Sequence, residues 1–324
     1  MKKGILSAII LFIPLIANAY DVEIDGVYYN LDAEKKVAVV TFQSVDAKSY
    51  AGDVVIPETI LYNEVSYPVV EIGYHSFYNC TELTSVKIPE SVTIIDELAF
   101  YRCITLKSIT IPDAVTSIGR YAFSYCNALT TLAIPNSVID IGHSAFEGCT
   151  NITSVALSNS LQHIGQKAFH RCTSLQSITI PEPVTRIDDM AFSKCSELRT
   201  VSIPKSLTDY SAYIFEGCNE LETVYCYSEN APSIPENVFL DCDFKNATLY
   251  VPTASVNEYK TTSPWSSFGT ILPIGETDIA KIKNEGETNG ETRYTPDGRM
   301  VNRPTLGLNI IRSSNGKTQK VIVK

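Results

Sequence analysis

Past Ile16 the sequence has no apolar run long enough to cross a bilayer, which excludes a protein held in a membrane by later helices. Basic residues are also short: 26 Lys and Arg stand against 36 Asp and Glu, a net charge of −10. That balance argues against a nucleic-acid partner, whose phosphates are met by clustered Lys and Arg. Reaction motifs are missing as well. There is no H-E-x-x-H, no G-x-S-x-G, no Gly-rich phosphate cradle and no Cys-x-x-Cys, so the expectation is a non-enzyme with no cofactor and no metal. The four histidines, His75, His143, His163 and His170, fall at four different repeat phases and read as exposed column residues.

The chain opens instead with Lys2 and Lys3, an apolar stretch from Ile5 to Ile16, and Ala17-Asn18-Ala19. This matches a secretory signal peptide cleaved after Ala19. The competing reading is a membrane anchor, but the stretch is short and Pro14 interrupts it. A mature protein starting near Tyr20 meets the membrane only during export, and is expected to be secreted or held at the outer cell surface as a monomer.

Cysteine carries the clearest signal. Cys80, Cys103, Cys126, Cys149, Cys172, Cys195 and Cys218 are spaced by 23, and Cys242 follows after 24. Phe77, Phe100, Phe123, Phe146, Phe169, Phe192, Phe215 and Phe239 keep the same beat three residues earlier, and Leu or Ile recurs three residues after most of the Cys. A period in the twenties is the mark of a leucine-rich-repeat solenoid. About eight coils follow, with mostly short parallel β-strands and short helical or 3-10 turns between them. In Leu129–Pro135, alternating Leu132 and Ile134 mark a strand that Pro135 ends, and a second short strand fits near Val138 and Ile141. Tyr121–Cys126 shows no alternation and suits one helical or 3-10 turn. The Cys column then stacks in the interior, most simply as free thiols hydrogen-bonded to a turn. Disulfides between adjacent coils are the alternative, disfavoured by parallel side-chain directions.

A solenoid needs caps. Residues 20–53 read as an N-terminal β cap with a turn at Asp25-Gly26, and 54–274 as the repeat array, beginning at Val54-Val55-Ile56-Pro57 with a loop insertion before Ile72. Residues 275–291 form an acidic linker, and 292–324 a small β module with a hairpin across Asn315-Gly316.

Two surface features stand out. Ser117, Asp140, His163, Arg186 and Asp209 should lie side by side, either as a row of ion pairs or as a binding stripe. Tyrosine is abundant at 18 residues, and Tyr74 with Tyr78, and Tyr121 with Tyr125, should project together, with Tyr101 on the coil between. Such rings either bind a ligand or cover the edge of the core.

Ile141-Gly142-His143-Ser144-Ala145-Phe146-Glu147-Gly148-Cys149 closely resembles the BspA-like leucine-rich repeat proteins of bacterial surfaces, and the likeness runs from Val54 to Ile274. It implies adhesion, with an extracellular host or bacterial protein or glycoprotein as partner. A second reading is a glycan-binding accessory protein of an exported nutrient-capture system. Tyr294–Arg299 and Lys320–Lys324 resemble a C-terminal sorting domain of type IX secretion, with a small β appendage as the plain alternative.

Overall fold

The computed structural model describes residues 19–44, 48–243 and 245–275, together with four strands between 292 and 323. Residues 1–18, which hold most of the expected signal peptide, lie outside the described residues. So do the linker from 276 to 291 and the turns at Pro296-Asp297-Gly298 and Asn315-Gly316.

The N-terminal segment forms β1 (Val22–Ile24), β2 (Val27–Asp32) and β3 (Val37–Val40). All pairings among these three are antiparallel, and Asp25 and Gly26 turn the first hairpin with positive φ. β4 (Ala51–Val55) starts one sheet of the array. β5 (Thr59–Tyr62) and β6 (Val65–Ile72) follow, and here the expected loop insertion proves to be a β-hairpin. Asn63 and Glu64 both take positive φ, as a two-residue hairpin turn requires, and Tyr62 pairs with Val65 across it. β3 pairs in parallel with β6, so the cap sheet runs directly into the array.

From there the chain winds as a β-solenoid of about nine coils of about 23 residues, mostly parallel strands. The coils beyond the eight marked by Phe and Cys lack that signature, which is why the sequence pattern undercounts them. One sheet continues from β6 through Ile94–Ile95, Ser117–Ile118, Asp140–Ile141, His163–Ile164 and Arg186–Ile187 to Asp209–Tyr210. The opposite sheet runs from Thr131–Ala133 through strands at Ser154, Ser177, Thr200, Thr223 and Thr248 to Thr270–Pro273. After five of the seven strands of this second sheet a carbonyl accepts an amide from the residue three on: Pro135, Pro181, Pro204 and Pro252 do so, and Ser158 does the same through Leu161. The serine therefore replaces proline without altering the turn.

The third side of each coil departs from expectation. Tyr121–Cys126 is neither helical nor 3-10: Tyr121 and Tyr125 sit in the left-handed region at φ 55° and 60°. The amides of Tyr121, Phe123 and Tyr125 donate to the next coil, at His143, Ala145 and Glu147, while Ser124 and Cys126 bond back to Tyr121 and Phe123. A 3-10 turn would spend every amide inside its own coil. With left-handed residues four apart, at Tyr121 and Tyr125, every second amide is instead free to bind the neighbour, at a local backbone cost of about 1 kcal/mol or more per left-handed residue.

Inside, the eight phenylalanines form one continuous stack, with centroids 4.8 to 5.6 Å apart and rings within 12° of parallel. Tyr50 closes the stack at one end, and Trp265 and Phe268 close it at the other. Beside it the cysteines stack as free thiols. From Cys103 to Cys218, and again at Cys242, each column thiol donates to the phenylalanine carbonyl of the preceding coil, as Cys149 does to Phe123 at 3.1 Å, whereas Cys80 faces the Tyr78 carbonyl. Burial pushes Cys149 and Cys195 up to about 12, so these thiols stay protonated. The chain ends in an antiparallel sheet ordered Met300–Val301, Thr292–Tyr294, Gly307–Arg312, Thr318–Val323, with the expected pairing of the last two.

Candidate binding surface on the turn face

Among the described residues no group of three or more His, Cys, Asp or Glu side chains is placed to hold a metal ion. A wide, open depression of about 620 Å³ is lined by Lys205, Leu207, Thr208 and residues 228–233, with no cluster of reaction-type side chains. The histidines are not exposed: His170 is buried and the other three are half-buried. His75 is stacked between Tyr74 and Tyr78 of its own coil, and His143 meets Tyr121 edge-on, contacts that a reading by repeat phase alone does not reveal.

The charged row assembles as expected. Ser117, Asp140, His163, Arg186 and Asp209 are in direct register on parallel strands. His163 Nδ1 is 2.6 Å from Asp140 Oδ1, and Nε2 is 3.0 Å from Asp188 Oδ2. Arg186 Nε donates to Asp188 at 2.7 Å and lies 3.7 Å from Asp209. With an acceptor at each ring nitrogen, His163 satisfies both only as the imidazolium, and its pKa is raised, first by Asp140. Asp188 was not anticipated, because it occupies the column that glycine fills in the coils at Gly119, Gly142 and Gly165.

The tyrosines gather on the third side, the turn face. Tyr74 stacks on His75 at 4.0 Å and 10°, His75 on Tyr78 at 4.4 Å, and Tyr78 on Tyr101 at 5.1 Å and 10°. Tyr125 then meets Tyr101 edge-on at 5.8 Å and 86°. Tyr74 and Tyr78 do project together, but through His75, which reaches φ 60° to lie between them. Tyr121 and Tyr125 go separate ways. Tyr121 turns to the next coil, its hydroxyl 2.8 Å from His143 Nε2, while Tyr125 lies over Gly148 and donates to Glu147. Any side chain at Gly148 would collide with the Tyr125 ring, since an added Cβ would come within 2.6 Å of it.

Tyr74 is 51 % and Tyr78 36 % exposed, whereas Tyr101, Tyr121 and Tyr125 are half-buried. Because the rings cover one another's faces, the row offers solvent mainly ring edges and phenol oxygens. Ile104, 42 % exposed, and Arg102 lie next to Tyr101 in sequence and extend the surface. Ala19 lies just ahead of Tyr20, whose ring packs against Tyr28 at 4.7 Å.

The BspA type leucine-rich repeat region model matches residues 59–157 and 140–260 in six copies. No curated protein matches the chain by sequence. Among solved structures, a leucine-rich repeat protein from Bacteroides ovatus is 26 % identical, with a TM-score of 0.55 over 79 % of this chain and 77 % of that one. A leucine-rich repeat protein of T. pallidum is 29 % identical, with a TM-score of 0.54 over 62 % of this chain and 90 % of its own.

Proposed function

Because the chain belongs to the BspA-type leucine-rich repeat family, we propose that it is an exported, adhesin-like protein that binds an extracellular host or bacterial protein or glycoprotein through its turn face, without catalysis. The observation that carries this reading is the stacked aromatic row from Tyr74 through His75, Tyr78 and Tyr101 to Tyr125, exposed at Tyr74 and Tyr78 and half-buried along the rest. Stacking fixes these side chains before any partner arrives, so little rotamer entropy remains to be lost on binding. Tyrosine beside arginine is also the composition that dominates protein-binding hot spots.

Export fits the Lys2, Lys3 and Ala17-Asn18-Ala19 pattern, and no helix among the described residues is long and apolar enough to cross a membrane. The type IX route rests on the terminal sequence alone. The glycan reading is less well supported by the geometry, because sugars stack on open ring faces and most of those faces are occupied here. The test is capture of partners from host secretions by the full exported chain, beside a Tyr78→Ser/Tyr101→Ser variant. Capture of a protein by the parent and its loss in the variant at unchanged melting temperature supports the reading; retention by the variant, or hydrolysis of the captured material, overturns it.

A further inference from the structure

In a chain of net charge −10, the middle of the turn face is an exception. Arg120, Lys167, Arg171 and Lys194 stand on coils stacked between Gly119 and Cys195, and Arg120, Arg171 and Lys194 are exposed. The amide ladder fixes their order along the axis: Tyr121 bonds to His143, Ser144 to Gln166, Lys167 to Asp189, and Arg171 to Ser193. Among the described residues none of the four cations forms an ion pair, unlike Arg186 and Arg199.

The carboxylates of this face, Glu147 among the cations included, each accept a hydrogen bond from another group. Tyr125 donates to Glu147, Ser193 to Glu216 at 2.9 Å and the Ala212 amide to Asp189 at 2.9 Å, while Asp188 faces His163 and Arg186. The cations share one neighbourhood. Burial first, and then Arg120 and Lys167, hold His143 below its ordinary pKa, and burial lowers His170 with Arg171, Lys167 and Lys194 acting in the same direction against Glu147. Both imidazoles are therefore neutral at physiological pH.

Two polar atoms inside this cluster lack a partner. Ser144 Oγ and His170 Nδ1 are buried and unbonded, on adjacent coils between the arginines. An unmet buried donor or acceptor costs about 1–3 kcal/mol, so such atoms mark a place where a ligand or water completes the site.

We propose that this patch docks an acidic polypeptide segment of the partner, running along the coil axis, with its carboxylates on Arg120, Lys167, Arg171 and Lys194. The guanidinium forks of Arg120 and Arg171 suit carboxylates in paired contact, and the patch continues the aromatic row through Tyr125, which leans over Gly148 toward it. An anionic glycan shares the charge, but the closed ring faces next to the patch give sugars no platform. The inference rests on the turn face being the contact surface.

The experiment uses the full exported chain and a fluorescent oligo-glutamate peptide, followed by anisotropy at low salt and at ~0.15 M salt. The peptide is expected to bind despite the net negative charge of the protein, and to weaken as salt rises. Lys167→Glu/Arg171→Glu should lose affinity about tenfold or more, while Lys87→Glu/Lys107→Glu, on another side of the coil, should not. Absence of peptide binding at low salt, equal loss in both variants, or binding of a heparin fragment without the peptide would each overturn the inference. If the peptide fails while Tyr78→Ser/Tyr101→Ser still abolishes partner capture, the contact surface stands and only the acidic partner falls.

Discussion

Each phenylalanine carbonyl of the central stack has two lone pairs and, along most of the column, two donors: Phe123 accepts the Cys126 amide of its own coil at 3.2 Å and the Cys149 thiol of the next at 3.1 Å. This is why cysteine recurs where any small apolar residue would fill the space. Cys149→Ala should cost about 1–2 kcal/mol in denaturant unfolding, one weak hydrogen bond plus a small void, and no measurable loss would mean that the thiol is only filler. The same burial makes thiol reactivity uneven. Cys242 is half-buried and the other eight are buried, so an alkylating reagent should modify at most one thiol of the native protein and all nine after denaturation. His163 gives a pH dependence of definite sign. Its folded pKa is raised, so its stabilising effect is complete below the unfolded value of about 6.5 and fades as pH rises through the folded one. The side chain is 34 % exposed, so the effect is well under about 1 kcal/mol. Melting His163→Gln beside the parent should show a gap in acid that closes in mild alkali; a gap independent of pH would mean the clamp carries no proton.

At the scale of the elements, the strands were legible because their alternation and their closing prolines are direct consequences of the pleat. Ile134-Pro135 is an instance, and the stacking of Phe100, Phe123 and Phe146 could be read from spacing alone. The turns were not legible. Tyr121, Lys167, Arg171 and Met190 all take positive φ, yet nothing in such side chains announces a left-handed backbone; only Gly148 and Gly217, in the column of Tyr125 and Arg171, hint at it. The conformation is imposed by the neighbouring coil, which needs every second amide. For the same reason the tyrosines were identified but their partners were not: His75 as a spacer and Gly148 as a floor become visible only when coils are stacked. The glycine before the turn in the coils at Gly119, Gly142 and Gly165 shows how close that stacking is. A Cβ on Gly165 would lie 2.6 Å from the Ile141 carbonyl oxygen, so Gly165→Ala should lower stability by about 1–3 kcal/mol by pushing two coils apart. A melting temperature equal to that of the parent would show that the coils can slide.

Across the whole molecule, stability is a sum of contacts between neighbouring coils, closed at one end by Tyr50 and at the other by Trp265 and Tyr259. Trp265 is fully buried and donates to the Pro232 carbonyl at 2.8 Å. Trp265→Ala should therefore cost about 3–5 kcal/mol, with hydrogen exchange speeding up first in the last coils and last in the middle; uniform acceleration would indicate a single cooperative unit. The amide ladder of the turn face adds a property no single coil has. From His75 to Gly217 its intercoil N–H bonds all run the same way, from each coil to the one after it. Peptide dipoles of roughly 3.5 D each then add instead of cancelling, as they do along an α-helix. The turn face is thus electrically poled, negative toward the N-terminal cap and positive toward the C-terminal one, and every inserted coil would lengthen that line of dipoles, while amides on the other sides, such as Gly142 to Ile118 and Thr185 to Gln162, point back and oppose it.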